Sequence, residues 1–164
     1  MTISSYSKRV VAYLIDTLIH IGASVVLIGL SIALIFVDGV RALGVFGLVV
    51  SVIFLVAFGF YNHVFLQGKS GQTMGKRRQS IVLVQESSYA PPGVFQAFLR
   101  WAIVSFLSFA TGGIYLIVDL IAPAMGDKKQ RITDRLLSLI VVDAGGQVRG
   151  RVEPIGIESQ FGPY

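Results

Sequence analysis

The chain has 164 residues, 54% of them hydrophobic and only 14% charged, with a mean hydropathy of +0.73. A water-soluble domain carries about 25% charged residues, and a chain this short has no interior large enough for so much apolar surface, so an ordinary soluble domain is excluded and an integral membrane protein is predicted. The net charge of +5 comes from basic clusters beside apolar runs, which points to membrane topology and anionic headgroups rather than nucleic acid, and the lack of cysteine excludes disulfide and thiolate chemistry.

Residues 1–9 are a short polar start ending in Lys8 and Arg9. The first apolar run, Val10 to Val37, predicts a helix of about 42 Å, against a bilayer core of about 30 Å. It carries Asp16 early and has no small-residue cleavage site after it, so a retained helix is expected rather than a signal peptide. Asp38 to Arg41 is a tight turn, and a second helix runs from about Ala42 to Leu66. Two long helices joined so briefly are antiparallel neighbours.

That turn serves as a ruler. Asp16 and Asn62 stand equally far from Gly39 in sequence. Asp16, Asn62 and His63 are therefore expected at one depth, with His20 a turn deeper. Arg9, Tyr13, Asp16 and His20 fall on one face of the first helix. The expectation is a polar cluster in the cytoplasmic third of a helical hairpin. A carboxylate inside a membrane helix costs roughly 2.5–3.5 kcal/mol on insertion scales, so Asp16 is the first place to look for function.

Residues 67–92 form a polar, Gly-rich loop with Lys69, Lys76, Arg77 and Arg78 against Glu86. Within it, Ser80 to Gln85 reads as a short strand, and Tyr89 to Pro92 as a turn. Gly71 to Lys76 is not a P-loop: its glycines are too close and Arg77 follows the lysine where Ser or Thr is required. A tight turn is expected there instead, with Lys76, Arg77, Arg78 and also Arg100 as headgroup or partner contacts.

Val94 to Met125 is apolar but broken by Arg100, by Thr111-Gly112-Gly113, by Asp119 and by Pro123. It reads either as a surface helix followed by one span, or as a hairpin turning at Thr111 to Gly113. All the large basic clusters lie on one side only if the segment returns, so the positive-inside rule favours the hairpin, spanning or re-entrant. The closing stretch 128–143 contains Arg131 to Leu137, a short helix, and Ser138 to Asp143, a second strand able to pair with the first. Residues 144–164 are expected to be loosely ordered.

Three motifs now bear a resemblance. Arg9-x-x-Ala12-x-x-Ile15-Asp16, Gly71-Gln72-Thr73-Met74-Gly75-Lys76 before Ile81 to Val84, and Gln130-Arg131-Ile132-Thr133-Asp134-Arg135-Leu136 before Ile140 to Val142 stand in order. They resemble the RDD family, small bacterial membrane proteins named for one arginine and two aspartates. The resemblance covers residues 1 to about 143 and implies Arg9, Asp16 and Asp134 as the signature, with Asp119 a second candidate for the third place. Thr133 stands where a His is common, and Leu137-Ser138-Leu139 replaces a small-Gly-Thr step. The resemblance also implies transport, including cation/proton exchange for some members.

Each residue has two readings. Asp16 is either a proton- or cation-binding carboxylate or a helix–helix clamp. Arg9 opens a helix, where the macrodipole disfavours a cation, so a pairing with Asp16 or Asp134 is expected, or else with lipid phosphate. Asp134 pairs locally with Arg131 or Arg135, or folds back to Arg9. With two histidines and no cysteine, a metal site at Asp16, His20 and His63 is thin, and no metal or other cofactor is expected. Gly22, Gly29 and Ala33 share a face suited to close helix packing, within or between subunits. No hydrolase triad is present.

The fold expected is an all-α membrane protein. It has two long antiparallel transmembrane helices, a third broken segment and a small cytoplasmic cap of two strands. The domain is residues 1–143, multi-pass in a bacterial inner membrane with both ends cytoplasmic. The function expected is a small transporter or ion/proton-coupling module, not an enzyme. A non-catalytic scaffold docking partners or anionic lipid is the alternative. Expected partners are the bilayer, a small cation or proton and a second copy of the chain, with no nucleic acid or nucleotide.

Overall fold

A computed structural model describes residues 2–125 and 129–144. The first helix, α1, spans Tyr6–Ile35. It starts ahead of the apolar run because the Ser5 hydroxyl caps it, accepting from the Lys8 N–H at 3.4 Å. The polar start with Arg9 is thus already helical. Gly39, at φ +84°, turns the chain. The second helix, α2, runs Arg41–Ser70, passes through a π-helical stretch Tyr61–Leu66, and so extends beyond the end expected at Leu66.

The two helices approach closely at Gly44 and Gly47, where a Cβ would strike Ile35 and Ser31. Ser31 and Ser51 meet across the same contact at 3.3 Å. Gly22 and Gly29 do not serve packing within the chain: a Cβ at either meets nothing within 4 Å.

The central segment is more ordered than a loop. Thr73 caps a short helix, α3 (Met74–Arg78), where a plain turn was expected. Strand β1 follows at Ile81–Gln85. Helix α4 (Gly93–Ala110) then leads into the turn Thr111 to Gly113, where Gly112 and Gly113 have φ of +59° and +91°. Helix α5 (Ile114–Ile121) returns, prolonged by a 3₁₀ turn Ala122–Ala124. Its end lies beside the start of α1, since the Tyr6 hydroxyl donates to the Leu120 carbonyl at 3.2 Å.

The segment 94–125 is therefore a hairpin with unequal limbs. The limb α4 is long and apolar enough to cross a membrane. The return limb, at about 1.5 Å per residue, reaches only about 16 Å.

Helix α6 (Ile132–Leu136) precedes strand β2 (Leu139–Asp143). The strands pair antiparallel, Ile81 opposite Asp143 and Gln85 opposite Leu139. One sheet face packs Ile81, Leu83, Leu139 and Val141 on Ala12 of α1. The N-terminal stretch joins the free edge of β2, with the Ser4 N–H donating to Val141 O at 3.1 Å. The tail from residue 145, expected to be loosely ordered, lies outside the described residues, as does Lys128.

Among the described residues the fold is mostly helical, with three helices long and apolar enough to cross a membrane and a two-stranded sheet at one end. Its polarity is inverted relative to a protein built for water. Leu18 and Val25 are each 67% exposed and Phe109 is 89% exposed, while Arg9, Asp16, Arg100, Asp119 and Asp134 are buried.

Candidate functional site

A cavity of about 220 Å³ opens between α1, the last turns of α2, α3, α4 and the closing segment. Arg9, Asp16, Lys76, Arg100 and Arg131 line it, with His63 and Gln67.

Asp16 is held by three neutral donors. Its Oδ1 accepts from Asn62 Nδ2 at 3.1 Å and from the Gly75 N–H at 2.8 Å, and its Oδ2 accepts from the Thr73 hydroxyl at 2.5 Å. Asn62 in turn accepts from the Met74 N–H at 3.0 Å. Gly75 is required here, because a Cβ would strike the Ala12 carbonyl and the Asp16 carboxyl. The carboxylate thus fastens α3 onto α1 and α2.

Arg9 meets neither expected carboxylate in a hydrogen bond. Its Nε donates to Ser4 Oγ at 2.7 Å, one terminal nitrogen to Val141 O at 2.7 Å, and the other to Lys129 O. The guanidinium fork suits three fixed acceptors in different directions. Arg9 thereby ties the closing segment to the start of α1.

Arg100 was expected at headgroups and is instead inside. Its Nε meets Asp134 Oδ1 at 2.7 Å, with both side chains at most 10% exposed. A buried aspartate needs a fixed cation, and α4 supplies one that lies far from Asp134 in sequence. Burial alone would raise the Asp134 carboxyl, but Arg100 and Arg131 outweigh it and hold it below the usual carboxylate range. Asp134 thus pairs with none of Arg9, Arg131 or Arg135 by contact among the described residues.

Asp119, also buried, meets Arg131 at 3.4 Å. The Arg131 guanidinium lies over the Tyr13 ring, 5.4 Å from its centre. The second Asp119 oxygen and the hydroxyls of Tyr115 and Thr133 lie buried near one another, and among the described residues none has a hydrogen bond of good geometry.

Lys76, like Arg100, was expected at headgroups. Its Nζ turns inward to Gln67 Oε1 at 3.0 Å, whereas Arg77 and Arg78 are exposed. Burial, with Arg100 and Arg131 nearby, pushes the Lys76 ammonium well below its ordinary range, against the opposing pull of Asp134 and Asp16.

His20 does not join the cluster. It stacks on Phe58, ring centres 6.1 Å apart, beside a separate apolar groove with Val52, Leu55 and Trp101. His63 does line the cavity, so the two histidines serve different surroundings. Among the described residues no three His, Asp or Glu side chains gather as for a metal ion.

A family model described as RDD matches residues 3–138. The chain belongs to the RDD family. No curated protein and no solved structure matches it.

In this RDD protein the three residues expected as the signature lie on two segments, Arg9 and Asp16 on α1 and Asp134 on α6, and each bonds to a segment other than its own. Asp16 ties α3 to α1, Arg9 ties β2 and Lys129 to α1, and Asp134 ties α6 to α4. Ser4, Gln67, Thr73, Gly75 and Trp101 are among the residues of this RDD site that were not expected. Only Thr73 had a local signal, as a Thr immediately ahead of a helical stretch, the usual helix cap.

Proposed function

We propose that this RDD protein is a multi-pass protein of a bacterial inner membrane and a small transporter or ion-coupling module, not an enzyme, whose binding site is the charged cavity. Its apolar side chains face outward along α1, α2 and α4, as a lipid solvent requires. The basic groups Lys8, Arg9, Lys76 to Arg78, Arg131 and Arg135 gather at the sheet end of the helices, and Arg41 lies at the other. The positive-inside rule then makes the sheet and the N-terminus cytoplasmic.

The observation that carries the reading is the cavity itself. Ionisable side chains from five segments converge on one space inside an apolar bundle, at a cost that a function must offset. In this reading Asp16 and Arg9 hold the two covers of the cavity, α3 and the closing segment. Asp16 acts through α3, because a cation bound at its oxygens would have to displace Thr73, Gly75 and Asn62. A homo-oligomer belongs to this reading, since so few helices enclose little space.

The test is solute-driven proton movement in proteoliposomes, wild type against Asp16→Asn, with folding checked by size exclusion. Flux in wild type that is lost in a folded variant supports the module. A scaffold is the second reading, and the ties made by Arg9, Asp16 and Asp134 favour it. No flux in wild type, with Asp16→Asn poorly folded, would select the scaffold.

A further inference from the structure

The Gln67 side chain is 1% exposed, and only half of its amide is satisfied. An ammonium can only donate, so the contact with Lys76 Nζ fixes which amide atom is the oxygen. The Nε2 donor that remains has no acceptor among the described residues. A buried amide N–H without an acceptor is unfavourable and calls for a bound partner.

The charges around the cavity ask for the same kind of partner. Arg100 and Arg131 already meet Asp134 and Asp119. Asp16 has its three donors. Among the described residues Arg9 and Lys76 contact neutral partners only: a hydroxyl and carbonyls for Arg9, an amide oxygen for Lys76. Two cations without contacting counter-charges therefore face one space with a single carboxylate. Burial depresses Lys76, with Arg100 and Arg131 adding to it, while Asp134 and Asp16 favour its ammonium.

We propose that the cavity is an oxyanion site, in which Lys76 Nζ and Gln67 Nε2 grip a phosphate-type group and Arg9, Arg100 and Arg131 supply the surrounding positive field. The inference rests on the reading of the cavity as a binding site and names its ligand class. Donors from separate segments suit a group with several oxygens. A volume of about 220 Å³ accommodates such a group, since one water occupies about 30 Å³. A metal cation fits worse: it would meet four basic side chains and leave Gln67 Nε2 without an acceptor. The phosphate is either free in the cytoplasm or carried by a lipid headgroup.

The test is thermal unfolding of the delipidated full chain in detergent. Inorganic phosphate, sodium chloride of equal ionic strength, and micelles doped with phosphatidylglycerol are compared. Gln67→Glu keeps an acceptor for Lys76 and converts the amide donor into a carboxylate. Lys76→Gln removes the charge. Arg77→Gln with Arg78→Gln controls for surface binding.

The expected result is a saturable upward shift of the midpoint in wild type, weakened at least about tenfold in concentration in Gln67→Glu and Lys76→Gln and retained in the surface variant. A shift with inorganic phosphate identifies a free oxyanion. A shift only with doped micelles, with phospholipid co-purifying with wild type and not with Gln67→Glu, identifies a headgroup. No shift in wild type beyond that of sodium chloride, or a shift lost only in the surface variant, overturns the proposal. A sodium-specific shift would also overturn it, while leaving the cavity as a binding site. The wild-type comparison decides even if a variant fails to fold.

Discussion

The Asp16 carboxylate accepts the Gly75 amide at 2.8 Å, joining the first helix to a segment that follows the second. Gly75 sits so close to α1 that its missing side chain is part of the contact. Gly75→Ala is expected to lower stability by about 1–3 kcal/mol, as overpacking does. Gly22→Ala and Gly29→Ala meet no neighbour and are expected to be neutral or stabilising by up to about 1 kcal/mol through helix propensity. Unfolding midpoints of the three variants in one detergent check the contrast.

Arg100 and Asp134 form a buried pair, so removing one partner leaves the other without a counter-charge. Arg100→Met alone is expected to cost about 3–5 kcal/mol, and the double variant with Asp134→Leu less than the sum of the single changes. Asp134 is held below its unfolded value of about 3.9, so its contribution is present above that pH and is lost as pH falls through the folded value. In Arg100→Met the main cation is gone and burial raises the carboxyl. The dependence then inverts, with stability falling as pH rises through the raised value. A double-mutant cycle and a pH series of midpoints check both statements.

Lys76 gives a slope of the same sign in a more alkaline window. Its folded value lies below the unfolded value of about 10.4, so between the two the unfolded chain binds more protons. Stability is expected to rise with pH across that window. Lys76→Met should flatten this slope. Midpoints from neutral to alkaline pH, with ionic strength fixed, measure it.

Arg9 donates to Ser4, Lys129 and Val141 through one planar fork. Arg9→Lys keeps the charge and cannot fill the same three directions. It is expected to cost about 1–3 kcal/mol, the range for one buried group left unsatisfied. Hydrogen exchange should speed up in the N-terminal stretch and in β2, and hardly at all in α4.

The sequence ruler about Gly39 put Asp16 and Asn62 at one depth, and the structure joins them at 3.1 Å. It worked because two straight helices from a tight turn keep equal rise, and the π-helical stretch begins only at Tyr61. The two strands were legible from β-branched runs, beginning at Ile81 and Leu139, one residue later than expected because Ser80 and Ser138 adopt positive φ. The partners of Arg100 and Lys76 were not legible. Periodicity reports which face of its own helix a residue occupies, not which segment covers that face. A basic residue near an apolar run looks alike whether it meets a headgroup or a buried aspartate. Gln67 was hidden for a similar reason: the helix was expected to end at Leu66, and the next turn carries Gln67 into the cavity.

Asp16 fastens α3 over the cavity. Hydrogen exchange of the peptide covering residues 71–79, compared between wild type and Asp16→Asn in the same detergent, tests it directly. Asn keeps an oxygen that can accept from Gly75 but removes the negative charge, so the charge-assisted bonds from Gly75, Asn62 and Thr73 are lost. Exchange at the Gly75 amide and its neighbours is expected to rise by about tenfold or more, the scale of losing a hydrogen bond to a charged acceptor, while α4 stays protected. Unchanged protection of residues 71–79 in a folded Asp16→Asn variant would contradict the account.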